Sequence, residues 1–278
     1  MPRAQRLAAP AAVLLSLLST AALPAGLVFS DGFEDGTANK WQQYDNHDNC
    51  AVVERSVDGV APHSGRYMLE CNWNGAVPWT DSASYQSVEL PTWPYQREFL
   101  VRAWVRFTRD VTRHAGSKIF RLFPNSGKMD SFTIQPDMSA ADTPIQFSWI
   151  LNHKQMPSFW GNGHTIGDGK WHRLEVYVAE NRSGASDGTV RVWLDGALLQ
   201  ELVNEVTIAP GDHWSNLHLM SNWTSNPGWD HGANNHVDWD DIELFSDAAT
   251  GAGGEMRNAT ISATASSAAT APAGGPVH

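Results

Sequence analysis

The sequence predicts an all-β protein that folds as an antiparallel β-sandwich over residues 26–247. Short segments rich in β-branched and aromatic residues alternate polar with apolar side chains, which is the pattern of half-buried strands. Turn residues separate these segments, and Asp195-Gly196 is the clearest signal because both central residues of a tight hairpin turn favour positive φ. Helical periodicity of any length is absent from the sequence, so we expect one large β domain.

The N-terminal segment, residues 1–25, has the composition of a secretory signal peptide. Arg3 and Arg6 form a basic region, residues 8–22 are apolar, and Ala25 is a small residue at the predicted cleavage point. The apolar run is too short to span a bilayer. We therefore expect an exported protein, either extracellular or periplasmic.

The C-terminal segment, residues 248–278, consists mainly of Ala, Gly, Ser and Thr. Such a segment buries too little apolar surface to offset its chain entropy, so we predict a disordered tail. The full chain carries a formal net charge of −11, which argues against nucleic acid and anionic membranes as partners. We expect a monomer.

The chain has two cysteines, Cys50 and Cys71, both in the predicted exported part. An oxidising compartment favours a disulfide between them, and two free thiols are the alternative. Closing this loop would stabilise the fold by about 3 kcal/mol in the chain-entropy model.

A basic segment covers residues 97–128, with eight Lys or Arg side chains against two acidic ones. Within it, one face of the predicted strand 98–108 is purely apolar, while the other carries Arg102, Trp104 and Arg106. An aromatic ring between two guanidinium groups suits an acidic sugar, because the ring stacks on the pyranose and arginine binds the carboxylate. The alternative is a surface cation–π arrangement of these three side chains.

The next predicted strand, residues 116–124, has two faces that are apolar except for one cation each. Either Lys118 or Arg121 faces a groove, and periodicity does not choose between them. A strand with two apolar faces is typical of the centre of a sheet, where a buried cation needs a partner.

Two further predicted strands, residues 132–136 and 145–152, carry neutral polar side chains on one face. Gln135 and Gln146 could supply hydrogen-bond donors and acceptors to sugar hydroxyls, although an ordinary exposed sheet face has the same pattern. His153 closes the second strand at its rim, either as a base or simply as a loop residue.

The stretch from Asp168 to Asn204 contains DGKWHRLEVYV, a polar loop, and DGTVRVWLDG. This stretch resembles the meander of concanavalin A-like jelly rolls, and among them it is most similar to the secreted lyases of glucuronan, alginate and heparin. The resemblance covers residues 27–247. It implies a jelly-roll fold and a lyase that cleaves a uronate polysaccharide. It also implies that Arg121, on a central strand, binds the uronate carboxylate in a groove.

Two strands depart from the pattern of alginate lyases. Residues 84–90 resemble their Arg-[Ser/Thr]-Glu strand, but Gln86 stands where the family has arginine, with Tyr85 and Glu89 as candidate cleft residues. Residues 216–224 resemble the strand that carries the family's catalytic tyrosine. There, His218 takes an inward position and Asn222 replaces the tyrosine, and an asparagine cannot accept a proton as a base.

β-Elimination needs a group that neutralises the uronate carboxylate, a base for the C5 hydrogen and an acid for the leaving oxygen. We assign the first role to Arg121, and His153 and Tyr85 are the candidates for proton transfer. The predicted substrate-binding residues are Arg102, Trp104, Arg106, Lys118, Gln135, Gln146, His218 and Asn222. The alternative function is a non-catalytic, lectin-like domain that binds carbohydrate.

Acidic residues near both ends of the domain suggest a structural calcium ion. In secreted jelly rolls the first and last strands usually pair, and a calcium often joins them away from the cleft. Asp31, Glu34 and Asp240 supply the hard oxygen ligands that Ca²⁺ prefers. The alternative is a set of turn-forming acids without an ion.

Overall fold

In the computed structural model, the described residues are 26–44, 50–72, 87–90, 97–107, 118–126, 131–136, 144–151, 154–155, 159–221 and 236–246. The predicted signal peptide and the predicted C-terminal tail lie outside this part of the chain. No helix long and apolar enough to cross a membrane occurs among the described residues.

The described part of the chain folds into β-strands connected by turns and loops. The strands are β1 (Leu27–Asp31), β2 (Gln42–Tyr44), β3 (Cys50–Val53), β4 (Met68–Asn72), β5 (Ser87–Leu90), β6 (Glu98–Phe107), β7 (Lys118–Pro124), β8 (Ser131–Pro136), β9 (Pro144–Leu151), β10 (Lys154–Gln155), β11 (Phe159–Thr165), β12 (His172–Ala179), β13 (Gly188–Leu194), β14 (Ala197–Glu205), β15 (Trp214–Ser221) and β16 (His236–Ser246).

These strands form two antiparallel sheets. Sheet A has the order β14-β13-β12-β6-β16-β4-β3, with β1 also pairing with β16. Sheet B has the order β10-β9-β8-β7-β15-β5-β2, with β11 also pairing with β9. This arrangement confirms the predicted antiparallel β-sandwich, and the pairing of β1 with β16 joins the first and last strands as expected.

Both sheets contribute one apolar face to a shared core. Along β6, the alternate residues from Phe99 to Phe107 are buried, as the period-two pattern predicts. Phe120 and Leu122 of β7 belong to the same core cluster. Because successive side chains of a strand point to opposite faces, the residues between these positions face away from the core and define the outer faces of the sandwich.

Local features of sheet A agree with the sequence analysis. Cys50 and Cys71 are opposite each other on β3 and β4 and form the predicted disulfide, with their Cα atoms 4.0 Å apart. At the turn between β13 and β14, Asp195 and Gly196 have φ values of 51° and 82°, the positive values that the Asp-Gly signal predicts.

Candidate functional site

A row of polar residues crosses the outer face of sheet B. Six strands place one residue each directly opposite its neighbours, from β2 through β5, β15, β7 and β8 to β9. We call this set the polar row, and in order it consists of Gln42, Glu89, His218, Arg121, Thr133 and Ser148. With neighbouring strands about 4.8 Å apart, the row extends over roughly 24 Å.

Arg121 and His218 lie side by side near the centre of the polar row. The arginine is 4% exposed and the histidine 9% exposed, and the half-buried ring of Phe123 contacts both. The Arg121 guanidinium carbon lies 4.0 Å from the Phe123 ring centre, and the ring centres of His218 and Phe123 are 4.4 Å apart. Phe123 therefore packs against both the guanidinium and the imidazole.

The environment of His218 keeps its imidazole neutral. Burial, together with the positive charge of Arg121, lowers the pKa of His218 to about 4. At neutral pH the imidazole is therefore unprotonated at one ring nitrogen, which is the form that can act as a base.

Thr133 extends the site on the other side of Arg121. Its side chain is fully buried, and its hydroxyl has no hydrogen-bond partner among the described residues. Gln135 follows Thr133 by two residues on β8 and lies opposite Gln146 of β9, which precedes Ser148 by two residues. Residues two apart on a strand share a face, so both glutamine positions belong to the face of the polar row. The register thus places these two predicted substrate-binding positions on the same face as Arg121.

The structure decides which face of β7 carries the candidate site. Arg121 lies opposite the polar residues Thr133 and His218, whereas Phe120 and Leu122 belong to the core. Lys118 is an odd number of positions from Arg121, so its backbone position belongs to the alternate face of the strand. Lys118 therefore belongs to the other face of β7 from Arg121, and its role in substrate binding stays a prediction.

Three predicted site residues, His153, Tyr85 and Asn222, lie outside the described residues. Sequence analysis gave no site role to Phe123, which contacts both the Arg121 guanidinium and the neutral His218 imidazole. Its position two residues after Arg121 was the available signal, because residues i and i+2 of a strand share a face.

The expectation that Arg102, Trp104 and Arg106 share a groove wall with Arg121 is wrong. β6 is in sheet A and β7 is in sheet B, so the two groups lie on different sheets. Side chains on the outer faces of two packed sheets are separated by the core of the sandwich. The chain crosses from one sheet to the other between these consecutive strands, and a period-two pattern carries no information about that crossing.

The two arginines of β6 take part in ion pairs on sheet A. Arg106 is fully buried, where it donates to Asp238 over 2.6 Å, to the Gly169 carbonyl over 2.9 Å, and also to Asp58. A guanidinium with these three partners holds strands and a loop together. This position argues against the predicted role of Arg106 in substrate binding.

Arg102 and Trp104 also have partners within sheet A. The Arg102 guanidinium contacts the carboxylates of Glu175 and Glu243, over 2.9 Å and 3.2 Å. The Trp104 ring stacks on His63, with ring centres 3.7 Å apart and planes 15° from parallel. The ring therefore contacts an imidazole where the sequence suggested a platform for a sugar.

Two of the three predicted calcium ligands lie near Gly32, but the Glu34 carboxylate accepts hydrogen bonds from the backbone amides of Arg66 and Tyr67. A Cβ atom built on Gly32 would lie 3.8 Å from Asp240 Oδ1 and 3.9 Å from Glu34 Cγ, so both side chains flank this glycine. Burial and the neighbouring Asp241 carboxylate raise the pKa of Asp240 to about 7. A bound cation would relieve this repulsion, so the carboxylate oxygens of Asp240 and Asp241 fit Ca²⁺.

Asp31 has a different environment from the other two predicted ligands. Its carboxylate accepts hydrogen bonds from the Phe33 amide, the Lys40 ammonium and the Trp41 indole, over 3.1, 3.0 and 2.8 Å. An ammonium group already provides the positive charge at this position. The geometry therefore argues against Asp31 as a calcium ligand.

Sequence analysis missed two neighbours of Asp240. The ligand atoms of His63, Asp240 and Asp241 all lie within 4.8 Å of one another, and His63 Nδ1 is 2.7 Å from an Asp241 oxygen. The adjacent acid at position 241 was visible in the sequence. The approach of His63 depends on a contact between residues 178 positions apart, which no local pattern encodes.

Comparisons with known proteins show the fold. No family model and no curated protein matches the chain. An endo-β-1,4-glucuronan lyase from the fungus Trichoderma reesei superimposes with a TM-score of 0.59 at 17% identity, covering 79% of this chain and 95% of the lyase. The alginate lyase Aly36B superimposes with a TM-score of 0.57 at 12% identity, covering 81% of this chain and 98% of that enzyme.

A variant of Aly36B in complex with alginate tetrasaccharide is also similar, with a TM-score of 0.50 at 14% identity over 74% of this chain and 96% of the variant. These similarities span nearly the whole length of the compared proteins, at identities that establish architecture only. The chain therefore has the jelly-roll β-sandwich fold of these glucuronan and alginate lyases, as the resemblance of residues 27–247 predicts.

Proposed function

We propose that this protein binds an acidic polysaccharide along the polar row of sheet B and cleaves it by β-elimination next to a uronate. The observation that carries the proposal is the central pair of Arg121, a fixed cation, and His218, a neutral imidazole, on neighbouring strands. The glucuronan and alginate lyases with the same fold support the choice of a uronate polymer.

In the proposed reaction, Arg121 binds the uronate carboxylate and neutralises its charge. This makes the C5 hydrogen more acidic, because negative charge that develops on the carboxylate is stabilised by the guanidinium. The neutral His218 accepts the C5 proton, a double bond forms between C4 and C5, and the bond from C4 to the leaving oxygen breaks. An acid returns a proton to that oxygen, with His153 and Tyr85 as candidates.

The remaining residues of the site would bind the sugar without taking part in proton transfer. Thr133 offers a buried hydroxyl beside Arg121, and Gln135 and Gln146 occupy neighbouring positions on the same face. Neutral donors and acceptors of this kind bind sugar hydroxyls through direct hydrogen bonds.

One observation favours the alternative, a lectin-like domain that binds the polysaccharide without cleaving it. A base with a pKa near 4 has a weak driving force for removing a carbon-bound proton at neutral pH. Binding a uronate would partly neutralise Arg121 and so raise the pKa of His218, which restores basicity only when the substrate is present.

Absorbance in the unsaturated-uronate band separates the two functions. Incubation of the protein with polyglucuronate or alginate should increase this absorbance, and Arg121→Met should abolish the increase. Arg55→Met, which removes an exposed arginine from another part of the surface, is the matched control. Binding of these polymers without any new absorbance would leave only the lectin-like function, and the absence of binding would refute both.

We also propose that Glu34 and Asp240 contribute to a calcium site that joins the two ends of the domain, with Asp31 as a supporting residue of the same turn. The cluster of possible ligand atoms from Asp240, Asp241 and His63 supports the site. Export of the protein is part of the same proposal, and the Cys50–Cys71 disulfide supports it because structural disulfides persist in oxidising compartments.

A further inference from the structure

The loop before β12 and the turn between β13 and β14 meet at one end of sheet A. The loop, residues 166–171, connects β11 of sheet B to β12 of sheet A. The turn consists of Asp195 and Gly196, and it leads into β14, the outermost strand of sheet A among the described strands. His172, the first residue of β12, contacts both segments. Its side chain therefore links the crossing between the two sheets to a hairpin at the edge of one of them.

Both ring nitrogens of His172 contact a carboxylate. Nδ1 lies 2.7 Å from an Asp195 oxygen, and Nε2 lies 2.9 Å from an Asp168 oxygen. An ionised carboxylate only accepts hydrogen bonds, so each ring nitrogen has to donate one. The geometry therefore requires an imidazolium, which carries a proton on both nitrogens. His172 is only 9% exposed, so water has little access to replace either carboxylate.

The charges around the imidazole favour this protonated form. Burial by itself would lower the pKa of His172, but the hydrogen bonds and negative charges of Asp195 and Asp168 outweigh it and raise the pKa above its usual value. On the neighbouring strand β6, Val105 lies opposite His172 and adds no charge. The two carboxylates thus dominate the electrostatics of this histidine.

Both acids stay ionised beside the imidazolium. Burial opposes their ionisation, yet the hydrogen bonds from Lys170 and His172 lower the pKa of Asp168 to about 2. Burial is outweighed in the same way at Asp195, where the hydrogen bonds from His172 and from the Arg173 amide lower the pKa. Neither carboxylate can therefore supply the proton that the imidazole might lose above neutral pH.

The two acids differ in how firmly their segments are held. Asp168 also accepts from the Lys170 ammonium over 2.8 Å, and its loop is anchored by a hydrogen bond of 2.9 Å from buried Arg106 to the Gly169 carbonyl. Asp195 lies on a two-residue turn, and its side chain is 49% exposed. Asp195 is therefore the acid that can turn toward water at little cost.

We propose that Asp168, His172 and Asp195 form a pH-sensitive clamp on the β13–β14 hairpin. The clamp is closed while the imidazole holds both protons. When the pH rises and one proton leaves, one ring nitrogen becomes an acceptor that faces a carboxylate, and an attractive contact becomes repulsive. The contact with Asp195 then breaks, and the hairpin loses its tie to the loop that joins the sheets.

The clamp stabilises the fold on the acid side of its titration. The folded pKa of His172 is raised above the unfolded value near 6.5, so its contribution is complete below pH 6.5 and is lost as the pH rises through the folded value. His218 has the opposite sign, because its lowered pKa costs stability as the pH falls. The two histidines therefore act in different pH ranges and can be measured separately.

NMR titration of the full chain tests the clamp. The imidazole of His172 should titrate with a midpoint above pH 6.5, and below this midpoint it should show a proton on each ring nitrogen. The amide signal of Arg173 should change with the same midpoint, because this amide donates to the Asp195 carboxylate over 2.8 Å. A midpoint at or below 6.5, or an amide signal that does not follow the imidazole, would overturn the proposal.

Two variants test the assignment of the acids. Asp195→Asn removes one charge, and asparagine tolerates the φ of 51° at this position. It should lower the midpoint of His172 by about one pH unit, the effect of losing one charged hydrogen bond. Asp168→Asn should act in the same direction and replaces it if Asp195→Asn does not fold. Asp35→Asn, at an exposed acid, is the matched control and should leave the midpoint unchanged.

Melting temperatures show whether the clamp holds the hairpin. Between about pH 6.5 and 9 the wild type should lose roughly 5 °C more than Asp195→Asn, because the variant has no such contact to lose. Equal losses in the two proteins, or an unchanged His172 midpoint in both variants, would refute the clamp. All three acids of this test lie outside the polar row, so the outcome is independent of whether the protein binds or cleaves polyuronate.

Discussion

Arg121 and His218 are direct neighbours across strands β7 and β15, and the charge of the arginine contributes to a histidine pKa of about 4. The pair combines a group that stays protonated at every accessible pH with one that stays unprotonated above about pH 4. Such a division of roles is useful where a carboxylate must be bound and a nearby proton removed. It also gives the site measurable properties that do not depend on knowing the substrate.

The first prediction concerns the titration of His218 itself. NMR titration of the imidazole should give a pKa of about 4 in the wild-type protein, well below the value near 6.5 of an unperturbed histidine. Arg121→Met should raise this pKa because the nearby positive charge is lost, although burial should still hold it below 6.5. Arg55→Met should not change it, and a wild-type pKa near 6.5 would contradict the geometry of the site.

The second prediction concerns the pH dependence of stability. Below about pH 6.5 the unfolded chain protonates His218, whereas the folded chain does so only near pH 4. The free energy of unfolding should therefore fall as the pH falls from 6.5 to 4, and this histidine would contribute a loss of roughly 3 kcal/mol. Urea denaturation across this pH range should show that the free energy of unfolding declines less in His218→Gln than in the wild type. Equal declines in both proteins would refute the lowered pKa of His218.

Sequence patterns predicted the strands well because alternation is a local property. The alternation in β6 and the Asp-Gly turn before β14 were both found at the expected positions. The sheet to which a strand belongs is not a local property. β6 and β7 follow each other in the chain but lie in different sheets, so Trp104 and Arg121 could not be assigned to one groove by periodicity.

Burial of charged residues was equally hard to predict. The alternation of β6 correctly placed Arg106 on the face away from the apolar core, yet the side chain is fully buried there. Its partners Asp58 and Asp238 come from segments 48 and 132 positions away in the sequence. Sequence alternation identifies the polar face of a strand, but it does not show whether another segment covers that face. Arg106 was therefore predicted to bind substrate although it is a buried structural residue.

The third prediction follows from this buried ion pair. Arg106→Met should destabilise the fold by about 3–5 kcal/mol, because it leaves the Asp238 carboxylate buried without its cation. Arg102→Met should cost less, since the Arg102 side chain is 29% exposed and the buried Glu175 carboxylate keeps Arg173 as a second cation. Chemical denaturation measures both values.

A double variant distinguishes loss of the pair from loss of packing. Arg106→Met combined with Asp238→Leu removes both buried charges, and it should recover part of the stability lost in the single variant. If the double variant is as unstable as the sum of the two single ones, the ion pair does not explain the effect. Polyuronate binding by the folded Arg106→Met protein should match the wild type, because Arg106 lies in sheet A.

The last prediction tests the calcium proposal by removal of the metal. Calcium at about 100 times its Kd would stabilise the fold by about 2.7 kcal/mol, so a chelator should lower the melting temperature by roughly 5–10 °C. Asp240→Asn should abolish this difference, whereas Asp35→Asn, at an exposed acid next to Glu34, should not. Because a pKa of about 7 leaves Asp240 increasingly protonated in acid, the chelator effect should also shrink as the pH falls below 7.

Asp31→Asn separates the two roles that the sequence left open for the N-terminal acids. Its carboxylate is bound by Lys40 and Trp41, so this substitution should lower the melting temperature equally with and without chelator. A chelator effect that disappears in Asp31→Asn but persists in Asp240→Asn would reverse the assignment of the ligands. Identical melting temperatures of the wild type with and without chelator would remove the calcium site altogether and leave Glu34 and Asp240 as acids that only shape their turns.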